Sequence, residues 1–136
     1  MSKPVTTPYG FGEEISLPYD QAVERTKAAL KEQGFGVLTE IDVRKTMKDK
    51  LGADFRRYVI LGACNPPLAH QAFESELNIG LLLPCNVVVY EQGDGAVVAM
   101  MDPEPALGLV GREDLRPLAM EVKRRLQRVL EKVSVE

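Results

Sequence analysis

Two cysteines, each followed by asparagine and each beside a proline, are the residues whose types and spacing best suit chemistry. They occur as Cys64-Asn65-Pro66 and as Pro84-Cys85-Asn86. Cys64 closes an apolar run, Tyr58 to Ala63, and directly precedes a segment that starts a helix at Pro66. Backbone N–H groups and the dipole at such a helix start favour an anion and can lower a thiol pKa. Cys85 opens the next strand. If the two strands pair, both thiols reach one rim of the sheet, with the Asn65 and Asn86 amides as added donors. Cys64, Asn65, Cys85 and Asn86 are therefore the candidate ligand-binding residues. The competing reading takes both cysteines as small buried hydrophobes, which is how free Cys most often behaves. A structural disulfide is the third reading.

The lone histidine, His70, extends the first motif to Cys64-x5-His70-x14-Cys85. Thiolate and imidazole are the donors of zinc and other soft-metal sites, and three of them would leave a fourth position open. The spacing matches no recognised zinc pattern. On a helical wheel His70 lies at the edge of the apolar side, next to Gln71 and Glu74, where a solvated histidine is the default.

A third cluster, Arg44, Lys45, Lys48, Lys50, Arg56 and Arg57, is diluted by Asp49 and Asp54. It reads as a solvated face more readily than as an anion site. Nucleic-acid binding would want aromatic residues interleaved with the basic ones, and Phe55 and Tyr58 are too few. The net charge of −3 offers neither nucleic acid nor an anionic membrane an electrostatic reason to bind. Phosphate-loop, dinucleotide-fingerprint and serine-elbow motifs are missing, and one histidine leaves little scope for a catalytic triad. Glu13 and Glu14 are adjacent, so in a strand they face opposite ways and make no carboxylate pair. A conventional hydrolase, kinase or dehydrogenase is disfavoured.

The elements that must position these residues follow from periodicity. The 136 residues, 45% hydrophobic and 27% charged, suit one ordinary domain and rule out wholesale disorder. Residues 1–10 are polar and aperiodic and read as an N-terminal arm; 11–136 read as a single α+β domain. Phe11, Ile15 and Leu17 alternate as a strand. Ala22, Val23, Thr26, Ala29 and Leu30 share one helix face, closed by Gly34. Phe35 to Val43 alternates again, and Arg44 to Leu51 before Gly52 suggests two helical turns. Strands follow at 55–64, 85–91 and 96–101, the last two joined by a Gln92-Gly93-Asp94-Gly95 turn whose glycines supply positive φ. A helix is expected from Pro66 to about Leu77, with Leu68, Ala69, Ala72, Phe73 and Leu77 on its apolar side. Residues 102–111, with two prolines and two glycines, read as a loop, and Asp114 as the N-cap of a long terminal helix carrying Leu118, Val122, Leu126, Val129 and Val133.

The order β-α-β-(α)-β-α-β-β-α has no run of βα repeats, so a doubly wound parallel sheet is disfavoured. A mainly antiparallel, twisted sheet of about five strands with the two long helices on one face fits instead. The three later strands are apolar on both faces, and something must cover the second face. A two-fold homodimer is the expected cover, and a cavity for an apolar ligand is the alternative.

The runs Tyr58-Val59-Ile60-Leu61-Gly62-Ala63-Cys64-Asn65-Pro66 and Gly80-Leu81-Leu82-Leu83-Pro84-Cys85-Asn86-Val87 resemble the signature of the domain of unknown function 302 family. Gly34-Phe35, Glu40-Ile41-Asp42-Val43 and Lys48-Asp49-Lys50-Leu51-Gly52 also match, so the resemblance spans about residues 11–105. It implies a compact α+β fold similar to that of the TATA-binding protein, without implying DNA binding, and it supplies no catalytic residue. The expected function is thus a non-catalytic binding or sensing module with a thiol site at Cys64/Cys85 for a metal, a small anion or a thiol-reactive ligand. A dimerisation or interaction module with structural cysteines is the alternative, and a thiol-dependent enzyme stands behind both because no general base is assigned. With no apolar signal core or membrane-length run, a cytoplasmic location is expected. Few amides (three Asn, five Gln) against nine Pro suggest a heat-adapted source.

Overall fold

The computed structural model describes residues 3–135, so Met1, Ser2 and Glu136, the outermost parts of the expected arm and domain, lie outside it. Six antiparallel strands form one sheet in the order β1-β2-β6-β5-β4-β3. They are β1 (Lys3–Thr7), β2 (Gly10–Ile15), β3 (Gly36–Asp42), β4 (Tyr58–Cys64), β5 (Cys85–Gln92) and β6 (Gly95–Met101). Five helices, α1 (Tyr19–Glu32), α2 (Val43–Leu51), α3 (Pro66–Ser75), α4 (Pro103–Gly108) and α5 (Arg116–Ser134), complete the fold.

The long helices form where the apolar period requires. α1 buries Ala22, Thr26, Ala29 and Leu30, and the Thr26 hydroxyl, deep in the layer, donates to the Ala22 carbonyl at 2.7 Å. Gly34 follows α1 with φ +84°, a left-handed conformation that only glycine adopts without strain. α5 buries Leu118, Ala119, Val122, Leu126, Val129, Leu130 and Val133. Both helices cover one sheet face, whose inward residues include Val59, Leu61 and Ala63 on β4, Cys85, Val87 and Val89 on β5, and Ala96, Val98 and Met100 on β6. A second cluster, Ala72, Ile79, Leu107, Leu115, Leu118 and Ala119, packs α3 and α4 beside the start of α5.

The structure corrects four expectations. Residues 3–7 are not an arm but an edge strand paired with β2 from Lys3↔Glu14 to Thr7↔Gly10. An edge strand is held by its backbone ladder, so it needs no apolar period to betray it. Residues 102–111 are not a loop: Asp102 Oδ1 accepts from the Glu104 N–H at 3.0 Å and caps α4. Pro103 and Pro105 both fall in the first turn, where no N–H is needed. Asp114 does not cap α5. It accepts from the Ser75 hydroxyl at 2.6 Å and from Arg112 at 3.0 Å, tying the end of α3 to a short 3-10 turn before α5. In the β5–β6 hairpin only Gly93 has positive φ (+57°); Gly95 is needed for space, since a Cβ there would overlap the Ile15 carbonyl oxygen of β2.

The sheet's other face carries Ile41, Tyr58, Ile60, Val88, Tyr90, Val97, Ala99 and Met101 by register, and none of the long helices lies on it. Tyr58 and Tyr90 stack there with centroids 5.2 Å apart, and Phe55 leans on Tyr58 at 6.1 Å. α3 does not cover this face either: it packs against α5 on the opposite side.

Candidate functional site

The Cys-Asn motifs meet at one end of the β4–β5 pair. Ala63 stands opposite Cys85, so Cys64 lies one step beyond and diagonal to it. This brings the cysteines to one rim, while the pleat sends their side chains to opposite faces of the sheet. Cys85 shares the buried face with Val87 and Val89 and is 7% exposed; Cys64 is half-buried. Both are free thiols. Burial, with a smaller contribution from nearby Cys64, pushes the Cys85 thiol up to about 11. At neutral pH Cys85 is a protonated, hydrophobic group and not a thiolate ligand.

The asparagines part company. Asn65, 6% exposed, is the N-cap of α3: its Oδ1 accepts from the Leu68 N–H at 3.3 Å, and its backbone carbonyl accepts from the Ala69 N–H at 2.8 Å. Its amide packs so closely on Gly34 that a Cβ there would lie 2.9 Å from Nδ2. Asn86, one residue inside β5, is solvent-exposed on the sheet's other face.

Beside this rim lies a cavity of about 230 Å³, open to solvent. Ala63, Cys64 and Cys85 form its floor, Leu68, Ala69, Ala72 and Phe73 of α3 its roof, and Leu118 and Val122 of α5 its back wall. Phe35 and Leu38 close one side; Gly80, Leu83 and Pro84 close the other. Every lining residue is apolar except Asn65 and the two thiols, and none carries a charge. Pro84, joined to Leu83 by a cis peptide, lies over Gly62, where a Cβ would be 2.9 Å from its Cγ and would overlap Thr39 Oγ1. The volume exceeds the roughly 150 Å³ that holds a benzene and falls below the ~300 Å³ at which drug-sized pockets begin.

The expected metal triad does not assemble. Cys64, His70 and Cys85 make no common site, and among the described residues no group of three His, Cys, Asp or Glu is placed to hold a metal. His70 is 76% exposed on the outer side of α3 and pairs with Glu74 at 3.0 Å, one helical turn on. Three of the six basic residues are paired with carboxylates: Lys45 with Asp49 at 2.7 Å, Lys48 with Asp54 at 3.2 Å, and Arg57 with Glu91 at 2.9 Å and Asp20 at 3.1 Å. Arg56 donates to the Glu91 carbonyl and to Gln92.

Sequence reasoning found the floor of the cavity but not its roof or walls. Phe35, Leu68, Ala72, Leu107, Leu118 and Val122 are apolar residues at helix or strand spacing, and such a pattern reads as core whether the space between them is filled or empty. The one available signal was α3 itself, whose apolar side is longer than the core it meets. Phe73 is 40% exposed, and Leu77, in the 3-10 turn that follows, is almost bare.

The sequence matches the family model "Domain of unknown function DUF302" over residues 11–133. The fold is similar to that in the crystal structure of an uncharacterized conserved DUF302 protein from Bacillus stearothermophilus, with a TM-score of 0.86 and 30% identity. That likeness covers 93% of this chain and 99% of the other. No curated protein matches the sequence.

Proposed function

This chain belongs to the DUF302 family, and within that family we propose that it is a binding module for small apolar molecules, taken up in the cavity at the Cys64/Cys85 rim. The observation that carries the reading is an open cavity of about 230 Å³ without one charged side chain in its wall. Burying an ion there would cost far more than a neutral wall can return, so a free metal ion or small anion is a poor occupant. An apolar molecule gains roughly 25 cal/mol for each Å² removed from water. Cys85, protonated and on the helix-covered face of the sheet, serves as a soft, polarizable floor group, a role that fits it better than a nucleophile's.

The reading is tested with toluene or ethylbenzene followed by calorimetry or ligand-observed NMR. Saturation at about a hundred times Kd adds roughly 2.7 kcal/mol to stability. Bound ligand also slows alkylation of Cys85, whose side chain shares the face that floors the cavity. Absence of any stabilisation or protection at saturating ligand overturns the proposal.

The uncovered sheet face favours a second, compatible reading, a homodimer. Four strands, β3 to β6, at ~4.8 Å spacing and ~20 Å length present roughly 400 Å² of apolar face before side-chain relief, and the more polar β1 and β2 extend the face to roughly 600 Å². That approaches the ~800 Å² each partner contributes to a standard interface. Ile41, 48% exposed on this face, and Phe55, 43% exposed beside it, are the residues left bare. A second copy is the occupant that brings an equally apolar surface. Sedimentation at micromolar concentration should show about twice 15.0 kDa, and Ile41→Lys should return the monomer. A wild-type monomer at that concentration overturns the reading.

A further inference from the structure

The inference that follows rests on the apolar-cavity reading and concerns the shape of the molecule the cavity takes. β3 ends the sheet beside the cavity and carries one irregularity. Val37 stands opposite Ala63 and Thr39 opposite Gly62, so β3 advances two residues where β4 advances one, and Leu38 is the extra residue of a β-bulge. Val37 packs on the core. Plain alternation from there would turn Leu38 to the sheet's bare face and Thr39 to the helix-covered one. The bulge reverses both. Thr39 Oγ1 occupies the space that a Cβ on Gly62 would need, on the bare face. Leu38 joins Phe35 and Ala63 in the cavity lining, on the covered side. Bulges re-aim side chains in this way and are over-represented at sheet edges and beside functional sites.

Burial grades along the cavity wall. Phe35, Ala72 and Leu107 are buried, whereas Leu38 is 66% and Phe73 40% exposed. The first three enclose an occupant. The last two stand at the opening, an apolar wall that the protein itself leaves wet. A compact molecule seated among the buried residues would leave Leu38 and Phe73 as they are. An elongated one would cover them and gain the free energy of removing their surface, and its own, from water. From this we infer that the molecule bound is apolar and carries an alkyl chain running to the opening, and that Leu38, aimed there by the bulge, selects for the length of that chain.

Ethylbenzene and butylbenzene test this, titrated calorimetrically into wild type, Leu38→Ala and a chain from which Leu38 is deleted. Alanine keeps the bulge and removes the side chain. The deletion removes the bulge and keeps the ladder, since Val37↔Ala63 and Thr39↔Gly62 then become successive pairs. Each fully buried methylene is worth about fourfold in affinity, so butylbenzene, with two more at a half-open mouth, should bind wild type about five- to tenfold more tightly than ethylbenzene. That advantage should fall to about twofold in both variants, with ethylbenzene itself within about twofold throughout. If the deletion does not fold, Leu38→Ala supplies the comparison. Butylbenzene no tighter than ethylbenzene in wild type overturns the elongated class. An advantage kept in either variant, or equal losses for the two compounds, overturns the selecting role of Leu38. Each of these leaves the apolar cavity standing. Failure of both compounds to bind wild type removes the cavity reading itself.

Discussion

Ala69→Leu is the most direct perturbation of the cavity. Ala69 is half-buried on α3 and lines the roof, so a larger side chain there has open space beneath it and a path to solvent beside it. Leucine adds three carbons, each worth about 0.8 kcal/mol when fully buried. Partial exposure and a rotamer cost of ~0.5–1 kcal/mol reduce the gain, leaving a net stabilisation of about 1 kcal/mol. Alanine and leucine are both strong helix formers, so α3 itself is little affected. For a chain of this length the melting temperature should rise by roughly 3–5 °C. The same atoms occupy the ligand's space, and affinity for ethylbenzene should fall at least tenfold. Thermal unfolding and calorimetry on the same preparation check both halves. If the roof were already packed, overfilling would instead cost ~1–3 kcal/mol. A lowered melting temperature with unchanged ligand affinity would therefore refute the reasoning.

Further outcomes follow from the same geometry. Cys85, raised to about 11 from an ordinary 9.0, binds its proton more tightly folded than unfolded. Its contribution is complete below pH 9 and is lost as the pH climbs toward 11, by roughly 2–3 kcal/mol in all; urea titrations across that range should show a steeper decline in wild type than in Cys85→Ala. Alkylation of the native protein at pH 8, read by mass spectrometry, should label half-buried Cys64 well before buried Cys85; the reverse order would mean that the rim is turned the other way. Gly62→Ala drives a Cβ against Thr39 Oγ1 and Pro84 Cγ, so a loss of about 1–3 kcal/mol in denaturant unfolding is expected, relieved in part by adding Thr39→Ala.

Much of the scaffold was legible in the sequence because burial writes a period into it. The α1 and α5 stripes, Gly34 after α1, and the two-residue turn of the β5–β6 hairpin all lie where apolar spacing and turn chemistry put them. β1 was not legible, since Lys3 to Thr7 is held by ladder hydrogen bonds that any side chains permit. Proline misled at 102–111, where two prolines signal a loop and yet both sit in a first turn that tolerates them. At the candidate site the rim was legible and the pleat was not. A strand end and a strand start fix which residues are neighbours, but the phase of alternation depends on the pairing Ala63↔Cys85, and no residue type reports it.

The two Cys-Asn dipeptides look like a repeated motif, yet the structure gives them unlike tasks, and the position of the proline accounts for the difference. At 64–66 the proline follows the asparagine, occupies the first position of α3, and leaves Asn65 as a buried cap whose oxygen faces the helix. At 84–86 the proline precedes the cysteine, delivers the chain into β5, and places Cys85 on the core face with Asn86 alternating out to solvent. A helix start on one strand end and a strand start on its neighbour cannot pack as two strands do. α3 must rise over the rim to reach α5, and the space beneath it is bounded by what each motif contributes: Cys64 and Asn65 from the first, Pro84 and Cys85 from the second. The cavity is thus a consequence of two similar words read in opposite structural contexts. Asn65 is the only one of their two amides that the resulting geometry brings to the cavity wall.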